Sequence, residues 1–315
     1  MNENSKIPAT IITGFLGSGK TTLLNNIIKN ESEINFAIIE NEFGEINIDK
    51  DLIIGVEDNI YDLKNGCVCC TLNDEFANTI LELFSSGRKF NHLIVETTGI
   101  ADPNMVAASF YEKIIRDNLY FNGTVCVVDA STFEEKFYRE NIMLRQISFA
   151  DIILLNKCDL ASEEEIKNAV SVSKKLNPES RIITSINCNS DTKNILDINA
   201  YEHKAINTEP VHIQEDIYSS YAFTFDEEFD ADLFKYAITT INTIFGKDML
   251  RIKGIIYYAG SNEKHIFQSI KDFGDIYPTA RNIGEKRESK IVFIGRKLKK
   301  ETILKELNSA LAERI

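Results

Sequence analysis

The sequence predicts an α/β fold, in which a mostly parallel sheet flanked by helices is followed by a smaller α+β C-terminal domain. Two observations lead to this prediction: short apolar runs alternate with helix-length amphipathic segments, and the rhythm changes near residue 200. Runs of four or five apolar, often β-branched residues are typical of strands buried on both faces, and their alternation with helices indicates a parallel sheet. The runs are 9–13, 36–40, 93–96, 125–129, 152–156 and 181–184, and the helical segments include 21–30, 74–85 and 163–176.

A polar segment rich in Asn and Asp, residues 187–216, predicts a connector between two domains. Beyond it, residues 218–225 alternate like a strand, and residues 231–245 have helical spacing. Three further predicted strands, 251–259, 264–270 and 290–295, and a closing helix, 299–312, complete the α+β pattern. We therefore expect a first domain over residues 1–200 and a second over residues 201–315.

The composition argues against nucleic acid and membranes as partners. The 315 residues carry 35 Lys and Arg against 48 Asp and Glu, a net charge of −13, which disfavours contact with polyanions. No apolar run approaches the roughly 18 residues of a membrane span. The apolar stretch near the N-terminus is interrupted by Thr and Gly before it reaches the length of an export signal. With six cysteines and no such signal, we expect a cytoplasmic protein whose clustered cysteines bind metal or react as thiols.

The segment Gly14-Phe15-Leu16-Gly17-Ser18-Gly19-Lys20-Thr21 fits the phosphate-loop pattern G-x-x-x-x-G-K-[ST], between the first strand and a helix. Its glycines let backbone N–H groups wrap around a β-phosphate, helped by the positive end of the helix. Lys20 would reach the β- and γ-phosphates, and the Thr21 hydroxyl would bind Mg²⁺. A chance glycine-rich turn is the alternative, but the strand–loop–helix context favours a P-loop NTPase domain.

Asn156-Lys157-Cys158-Asp159 follows a predicted strand and fits the guanine-binding pattern N-K-x-D. A carboxylate at Asp159 can accept hydrogen bonds from N1 and the 2-amino group of guanine, and adenine lacks both donors. The Asn156 amide can contact N7, and the Lys157 stem can lie along the base. Asp159 could instead cap a helix over residues 161–176, but the context favours GTP over ATP.

Two acids at predicted strand ends could organise Mg²⁺: Glu96 in LIVETTGIADP and Asp129 in VCVVDAS. P-loop proteins hold the ion through such an acid on a neighbouring strand. Gly99 follows Glu96 by three residues, which suits a loop whose backbone N–H contacts the γ-phosphate. We favour Glu96, with Lys20, as the catalytic pair; Asp129 can equally be a residue that caps the segment after it.

Cys67, Cys69 and Cys70 place three thiols within four residues. Thiolates select zinc or Cu(I) over magnesium and calcium, and three protein ligands leave one tetrahedral position open, which suits transfer of the ion. Buried packing or a redox pair are the alternatives. The isolated cysteines and the scattered histidines indicate structural residues; the former are Cys126, Cys158 and Cys188.

An acidic segment, residues 40–49, lies between the phosphate loop and the cysteines, where a switch segment is expected. If Glu40, Glu42 or Glu45 supplies a fourth ligand, ordering of this segment by nucleotide would change the affinity for the metal. The alternative is a solvated loop with Gly44 in a turn.

The motifs IPATIITGFLGSGKTTLL, IENEFGEINID, NGCVCCTL, VETTGIADP and NKCDL, in this order, resemble those of the CobW/YjiA-type GTPases, a group that includes the urease and hydrogenase nickel-insertion factors. The likeness continues in DMLRIKGIIYYAG, HIFQSIKDF and KIVFIGRKL, which are similar to that family's C-terminal domain. The resemblance implies slow GTP hydrolysis with Mg²⁺, coupled to holding and delivering Zn²⁺ or, in some members, Co²⁺. A client apo-metalloprotein would be the partner, and a homodimer stays open.

The resemblance also implies roles for individual residues. By position it assigns phosphate and Mg²⁺ binding to Gly17, Ser18, Gly19, Lys20, Thr21 and Thr22, the acid to Glu96, guanine binding to Asn156, Lys157 and Asp159, and metal binding to Cys67, Cys69 and Cys70. Glu40 and Glu45 match acidic positions that can join metal sites in relatives. Many relatives carry a histidine-rich stretch near the C-terminal domain, whereas here only His203 and His212 fall there, so we do not expect metal storage on such a tail.

The leading hypothesis is therefore a GTP-hydrolysing metallochaperone that holds its metal at the C-x-C-C motif and releases it to a client. A metal sensor that binds nucleotide without significant turnover is one alternative. A P-loop phosphotransferase with a structural metal is the other, but it requires a substrate lid, and the sequence has no clear one.

Overall fold

The computed structural model describes residues 6–41, 60–62, 72–87, 89–110, 113–134, 137, 141–198, 211–213, 218–270, 273–281 and 287–312. The chain divides into two compact units, Met1–Ser173 with Ser180–Glu202, and Lys174–Glu179 with His203–Ile315. Within the described ranges, no helix is both long enough and apolar enough to cross a bilayer.

The first unit is built on a parallel sheet. Its described strands are β1 (Ile7–Thr13), β2 (Phe36–Asn41), β3 (Ile60–Asp62), β4 (His92–Thr97), β5 (Leu119–Asp129), β6 (Ile152–Asn156) and β7 (Arg181–Thr184). They lie in the order β3-β2-β4-β1-β5-β6-β7, and each pairing found among them is parallel. After β1 the chain fills first one side of the sheet and then the other. This makes the carboxyl end of β1 a topological switch point, where ligands bind in such folds.

Helices accompany this sheet, as the alternating pattern predicted. Those described before residue 200 are α1 (Lys20–Asn30), α2 (Leu72–Ser85), α3 (Pro103–Ser109), α4 (Lys113–Arg116), α5 (Asn141–Phe149), α6 (Glu163–Leu176) and α7 (Thr192–Leu196). Buried residues of α1, Leu23, Leu24 and Ile27, pack with apolar residues of the strands. The predicted α/β class is confirmed.

A short helix, α7, corrects the prediction of a connector from residue 187. Asp191 accepts a hydrogen bond from Lys193 N at its N-terminus, and Leu196 is buried. A bulge in β5 holds α7 in place: the register between β1 and β5 shifts at Asn122, whose Nδ2 donates to Thr10 Oγ1 (3.0 Å) and Leu196 O (2.7 Å). The two bonds offset the cost of burying the amide. The segment is thus ordered by contacts that are remote in sequence.

His92, at the start of β4, is a neutral core residue. Its Nε2 lies 2.9 Å from Thr10 Oγ1, and its ring packs against Phe36 at 5.8 Å between centroids. The residue is 4% exposed. Burial lowers the pKa of His92 to about 4, because desolvation disfavours the imidazolium ion. The prediction of a structural histidine holds here.

The second unit is an antiparallel sheet with two helices. Its described strands are β8 (Val211–Ile213), β9 (Tyr218–Phe225), β10 (Met249–Ile256), β11 (Glu263–Ile270), β12 (Phe273–Arg281) and β13 (Ser289–Arg296), in the order β12-β11-β10-β13-β9-β8. The helices are α8 (Ala231–Phe245) and α9 (Lys300–Asn308). Phe234 of α8 is fully buried and meets the rings of Phe229, Tyr258 and Phe267 edge-on, at 5.1 to 5.8 Å. Aromatic packing therefore joins α8 to this sheet.

Two strands of the second unit, β8 and β12, were not predicted: the sequence pattern indicated three strands after α8 and a connector before β9. β12 contains Gly274 and Pro278, residues that argue against a central strand. Among the described strands, however, it lies at the edge of the sheet, and an edge strand tolerates a residue without an N–H group. β8 is three residues long and forms the opposite edge. Both strands are thus defined by their neighbours rather than by their own pattern.

Acidification should destabilise the first unit through His92. Its pKa is 6.5 when exposed and about 4 in the fold, so the unfolded chain binds the proton more tightly. The contribution of His92 to the free energy of unfolding is fully present above pH 6.5. It falls by about 3 kcal/mol as the pH falls toward 4. Urea unfolding across this range should show a steeper loss for the wild type than for His92→Phe. An NMR titration of His92 with a midpoint near 6.5 would contradict this account.

Candidate nucleotide site

Polar residues at the carboxyl ends of β1, β4 and β6 surround a cavity of about 810 Å³. Ligand sites in proteins commonly measure about 300–1,000 Å³. The predicted residues that line this cavity are Gly17, Gly19, Lys20, Thr21, Thr22, Glu96, Gly99, Asn156, Lys157 and Asp159. The structure thus brings most of the predicted nucleotide residues to one place.

The phosphate loop is fixed through three successive carbonyl groups. Lys157 Nζ donates to Gly17 O at 2.8 Å, Asn156 Nδ2 donates to Ser18 O at 3.0 Å, and the Cys188 thiol donates to Gly19 O at 3.3 Å. In a planar trans peptide, the following N–H points opposite to the carbonyl. The N–H groups of Gly19 and Lys20 therefore point away from these side chains, as phosphate binding at a helix N-terminus requires.

Glycine is required at two positions of this loop. Gly14 has φ 143°, and a Cβ there would lie 2.2 Å from Val127 O. Gly19 has φ 111°, and its Cβ would lie 2.6 Å from Asn156 Nδ2. Gly19 precedes α1 without a side-chain cap, so the first N–H groups of α1 are not occupied by a capping side chain. The loop therefore has the features of an anion cradle.

Thr21 and Glu96 form a pair of oxygen donors beside this loop. Thr21 Oγ1 donates to Glu96 Oε1 at 3.2 Å, and Glu96 is 6% exposed at the end of β4. Hydroxyl and carboxylate oxygens are the ligand types that Mg²⁺ prefers. These two residues fit the ion, and they would hold it next to the phosphates.

Asp129, the alternative acid, has a different role in the structure. Its Oδ1 accepts from Ser131 N and Ser131 Oγ, at 3.0 and 2.6 Å, and so caps the 3₁₀ turn Ala130–Thr132. Its Oδ2 forms an ion pair with Lys157 Nζ at 2.8 Å. Burial tends to raise the pKa of Asp129, but the hydrogen bonds from Lys157 and Ser131 outweigh it, and the pKa lies below its usual value. Asp129 therefore positions Lys157.

Both ends of the Asn156 amide bind the protein. Besides its bond to Ser18 O, the side chain accepts from Cys188 N at 2.8 Å and from Ser185 Oγ at 3.3 Å. A backbone donor and a backbone acceptor together fix the orientation of the amide. The predicted contact with N7 of a base would use the second N–H of the same group.

Asp159 does not cap α6, which removes the alternative considered for it. Ser162 and Glu165 form a reciprocal cap: Ser162 N donates to Glu165 Oε2 at 2.7 Å, and Glu165 N donates to Ser162 Oγ at 3.3 Å. Asp159 is exposed and lines the cavity. Asp159 is therefore accessible to the base of a nucleotide bound in this cavity.

The segment after β7 also contributes to the site, and the sequence motifs did not predict this. Asn187 lines the cavity, and both Asn187 and Cys188 adopt left-handed φ values of 51° and 54°. Asn26 of α1 fixes this turn by donating to their carbonyls, at 3.0 and 3.2 Å. The available signal was Ser185, a polar residue directly after the carboxyl end of a parallel strand.

Two of the three cysteines in the described part of the chain are core residues rather than metal ligands. Cys126 and Cys188 are fully buried, and burial raises the pKa of each thiol to about 12. Such thiols stay neutral near pH 7, whereas a metal ligand must be a thiolate. Among the described residues, no group of three or more His, Cys, Asp or Glu is arranged to hold a metal ion. The predicted metal residues Cys67, Cys69, Cys70 and Glu45 lie outside the described residues.

Glu40 is described only through its backbone. It lies in β2 and is paired in register with Glu96 of β4 on one side and with Asp62 of β3 on the other. The carboxyl ends of β2 and β3 therefore lie at the sheet edge that carries Glu96, and the chain leaves both strands at this edge.

Replacing Gly99 with Ala should weaken nucleotide binding. An added Cβ would lie 2.6 Å from Leu16 N and 2.8 Å from Leu16 Cα, so the phosphate loop or the loop after β4 must shift. We expect a loss of about tenfold or more in affinity, equivalent to about 1.4 kcal/mol. Titration with a fluorescent GDP analogue measures it. Gly87→Ala is the control: at φ 72° and with nothing within 4 Å, it should leave affinity unchanged. Equal affinities for Gly99→Ala and wild type would contradict the prediction.

Comparison with known proteins agrees with this geometry. Residues 8–184 match the nucleotide-binding domain of the CobW/HypB/UreG family, and residues 218–311 match the C-terminal domain of the cobalamin synthesis protein CobW. The chain is 30% identical to the zinc chaperone YjiA of Escherichia coli, over 94% of this chain and 96% of YjiA. It is also 30% identical to the zinc-regulated GTPase metalloprotein activator 1 of Dictyostelium discoideum, of which it spans 64% while 82% of this chain is matched.

A solved structure gives the same answer for the fold. The Zn(II)-bound crystal structure of the E. coli YjiA GTPase aligns with a TM-score of 0.74 and 26% identity, covering 98% of this chain and 99% of YjiA. The resemblance inferred from the motifs is confirmed. This chain belongs to the CobW/HypB/UreG family of nucleotide-binding proteins and carries its CobW-type C-terminal domain.

Proposed function

We propose that this chain is a GTP-hydrolysing metallochaperone, which holds Zn²⁺ at Cys67, Cys69 and Cys70 and delivers it to a client metalloprotein in a GTP-dependent way. Co²⁺ is the alternative cargo. The observation that carries the proposal is the phosphate cradle with its Thr21–Glu96 pair, in a chain whose similar proteins are named zinc chaperones and zinc-regulated GTPases.

The nucleotide half of the proposal rests on described residues. The N–H groups of Gly19 and Lys20 would bind phosphate oxygens, and the Lys20 ammonium would stabilise negative charge at the β- and γ-phosphates. Thr21 and Glu96 would hold Mg²⁺, which when bound supplies electrostatic stabilisation of the transferred phosphoryl group. Gly99, packed against the backbone of Leu16, would present its N–H to the γ-phosphate. GTP hydrolysis is accordingly the reaction that we assign to this cavity.

The metal half rests on the chemistry of the cysteines and on where their segment begins. Three thiolates form a soft ligand set that suits zinc and leaves a position for exchange. Cys67 follows Asp62, the last residue of β3, by five positions. Asp62 pairs with Glu40, and Glu40 pairs with Glu96. The segment with the cysteines thus departs from the sheet edge at which the nucleotide residues lie, which supports coupling between the two ligands.

The Asp159→Asn variant should lose its preference for guanine. The carboxamide offers an N–H where the N1–H and 2-amino donors of guanine need acceptors, so we expect GTP affinity to fall by about 100-fold or more. ATP affinity should stay unchanged. Competition binding with both nucleotides measures the effect. Glu163→Gln is the matched control, an exposed acid four residues away that pairs with Lys167. A GTP affinity that survives in Asp159→Asn would refute guanine reading by this residue.

Zinc affinity should depend on both the cysteines and the nucleotide. Replacing Cys67, Cys69 and Cys70 together with Ala should remove high-affinity zinc binding, whereas Cys126→Ala should keep it, because Cys126 is a buried neutral thiol. For the wild type, a non-hydrolysable GTP analogue should change zinc affinity by about 5- to 150-fold relative to GDP. Competition with a zinc chelator of known affinity measures both effects.

Three outcomes of that experiment would count against the proposal. Equal zinc affinities with the two nucleotides would remove the coupling. Unchanged zinc binding in the triple variant would place the metal elsewhere. Coupling without GTP turnover, measured in protein freed of contaminating phosphatases, would indicate the nucleotide-regulated metal sensor instead.

A further inference from the structure

Gln146, on α5, binds the loop that follows Glu96. The residue is fully buried, and its Nε2 donates to Gly99 O at 3.1 Å and to Ala101 O at 3.3 Å. Gly99 is the residue whose backbone lies against Leu16 of the phosphate loop. One side chain therefore holds the turn that faces the γ-phosphate position.

The neighbouring residue of α5 holds the other end of the same loop. Arg145 Nη1 pairs with Asp102 Oδ2 at 2.8 Å, while Asp102 Oδ1 accepts from Asn104 N at 3.1 Å and caps α3. Consecutive residues of α5 thus fix Gly99, Ala101 and Asp102. The helix and the loop must move together or break these contacts.

The other end of the Gln146 amide faces a small cavity beneath the phosphate loop. Within the described residues, Gln146 Oε1, Ser18 Oγ and Thr132 Oγ1 are buried and have no hydrogen-bond partner. All three residues line one cavity of about 10 Å³. This volume is about the least that admits one water, and a buried water needs two to four polar partners. Two hydroxyls and one carbonyl oxygen supply the donors and acceptors for it.

We propose that Gln146 is a positioning residue for GTP hydrolysis, which holds Gly99 in place through Nε2 and is itself joined to Ser18 and Thr132 by one buried water at Oε1. The inference rests on the proposed function, since it concerns the rate of that reaction. Groups that meet a reacting phosphate must keep their place to a fraction of an ångström. The direct bond and the water together tie the turn, the phosphate loop and α5 into one unit.

Gln146→Met tests the direct contact, because methionine has a similar volume and no hydrogen-bonding amide. We expect kcat to fall by about 10- to 100-fold, with KM for GTP and affinity for GDP nearly unchanged. Ser148→Ala is the control: Ser148 is buried on the same helix and donates to Leu144 O within it, so its loss should leave kcat unchanged. A Gln146→Met variant with wild-type kcat would overturn the inference. So would equal losses in GTP and GDP affinity, which indicate general damage.

Gln146→Glu supplies a second readout that remains if the methionine variant does not fold. A protonated carboxyl can still donate to Gly99 O, whereas a carboxylate would repel both carbonyls. Activity should therefore fall as the pH rises through the pKa of the new carboxyl, a step that the wild type lacks. A pH profile parallel to that of the wild type would overturn the inference.

A high-resolution crystal structure should show one ordered water in the small cavity, and an empty cavity would overturn the water contact. A wild type without GTP turnover would defeat the proposed function as well, whereas an active wild type with an active Gln146→Met would defeat this inference alone.

Discussion

The nucleotide site depends on one constraint: the carbonyl groups of the phosphate loop must be bound on the protein side so that N–H groups face the ligand. The partners of these carbonyls, Lys157, Asn156 and Cys188, lie 138 to 169 residues later in the chain. A glycine-rich segment alone would spread over many conformations and would lose much entropy on becoming ordered. The N-K-x-D motif therefore stabilises the phosphate loop, in addition to the contact with guanine that is predicted for it.

The same constraint explains the charges around Lys157. Its ammonium lies between the carboxylate of Asp129 and the carbonyl of Gly17, each at 2.8 Å. Asp129 and Asn156 are paired in register at the ends of β5 and β6, so the sheet itself sets this spacing. A lysine held this way donates in a fixed direction, and the carboxylate of Asp129 balances its charge. The strand-end acid that resembled a Mg²⁺ ligand in the sequence is thus used to orient a neighbouring strand's lysine.

Helices and strands with a clear hydrophobic periodicity and capping residues at their ends could be predicted from the sequence. Those that depend on contacts with residues remote in the chain could not. The bounds of α6 and α8 agree with the prediction because both have an amphipathic period and a polar cap, Glu165 with Ser162 in one and Asp230 in the other. The edge strands β8 and β12 lack such a signal. In the site, the motif residues were predictable, but Gln146 was not, since its two partners lie 45 and 47 residues away. A lone glutamine in an amphipathic helix gives no sign of that role.

In a chaperone of the proposed kind, the coupling free energy between nucleotide binding and zinc binding can be small. A tenfold change in zinc affinity corresponds to about 1.4 kcal/mol, no more than one good hydrogen bond. Asp62 pairs with Glu40 and Glu40 pairs with Glu96, so the segment with the cysteines starts at the end of β3, three strands along the sheet from β1, and no long pathway is required. Because coupling is reciprocal, bound zinc must change the affinity for GTP by the same factor that GTP changes the affinity for zinc. If the GTP-bound state holds zinc more tightly, metal loading also favours GTP, and loss of the γ-phosphate loosens the metal. Hydrolysis then gives the transfer its direction, which binding equilibria alone cannot do.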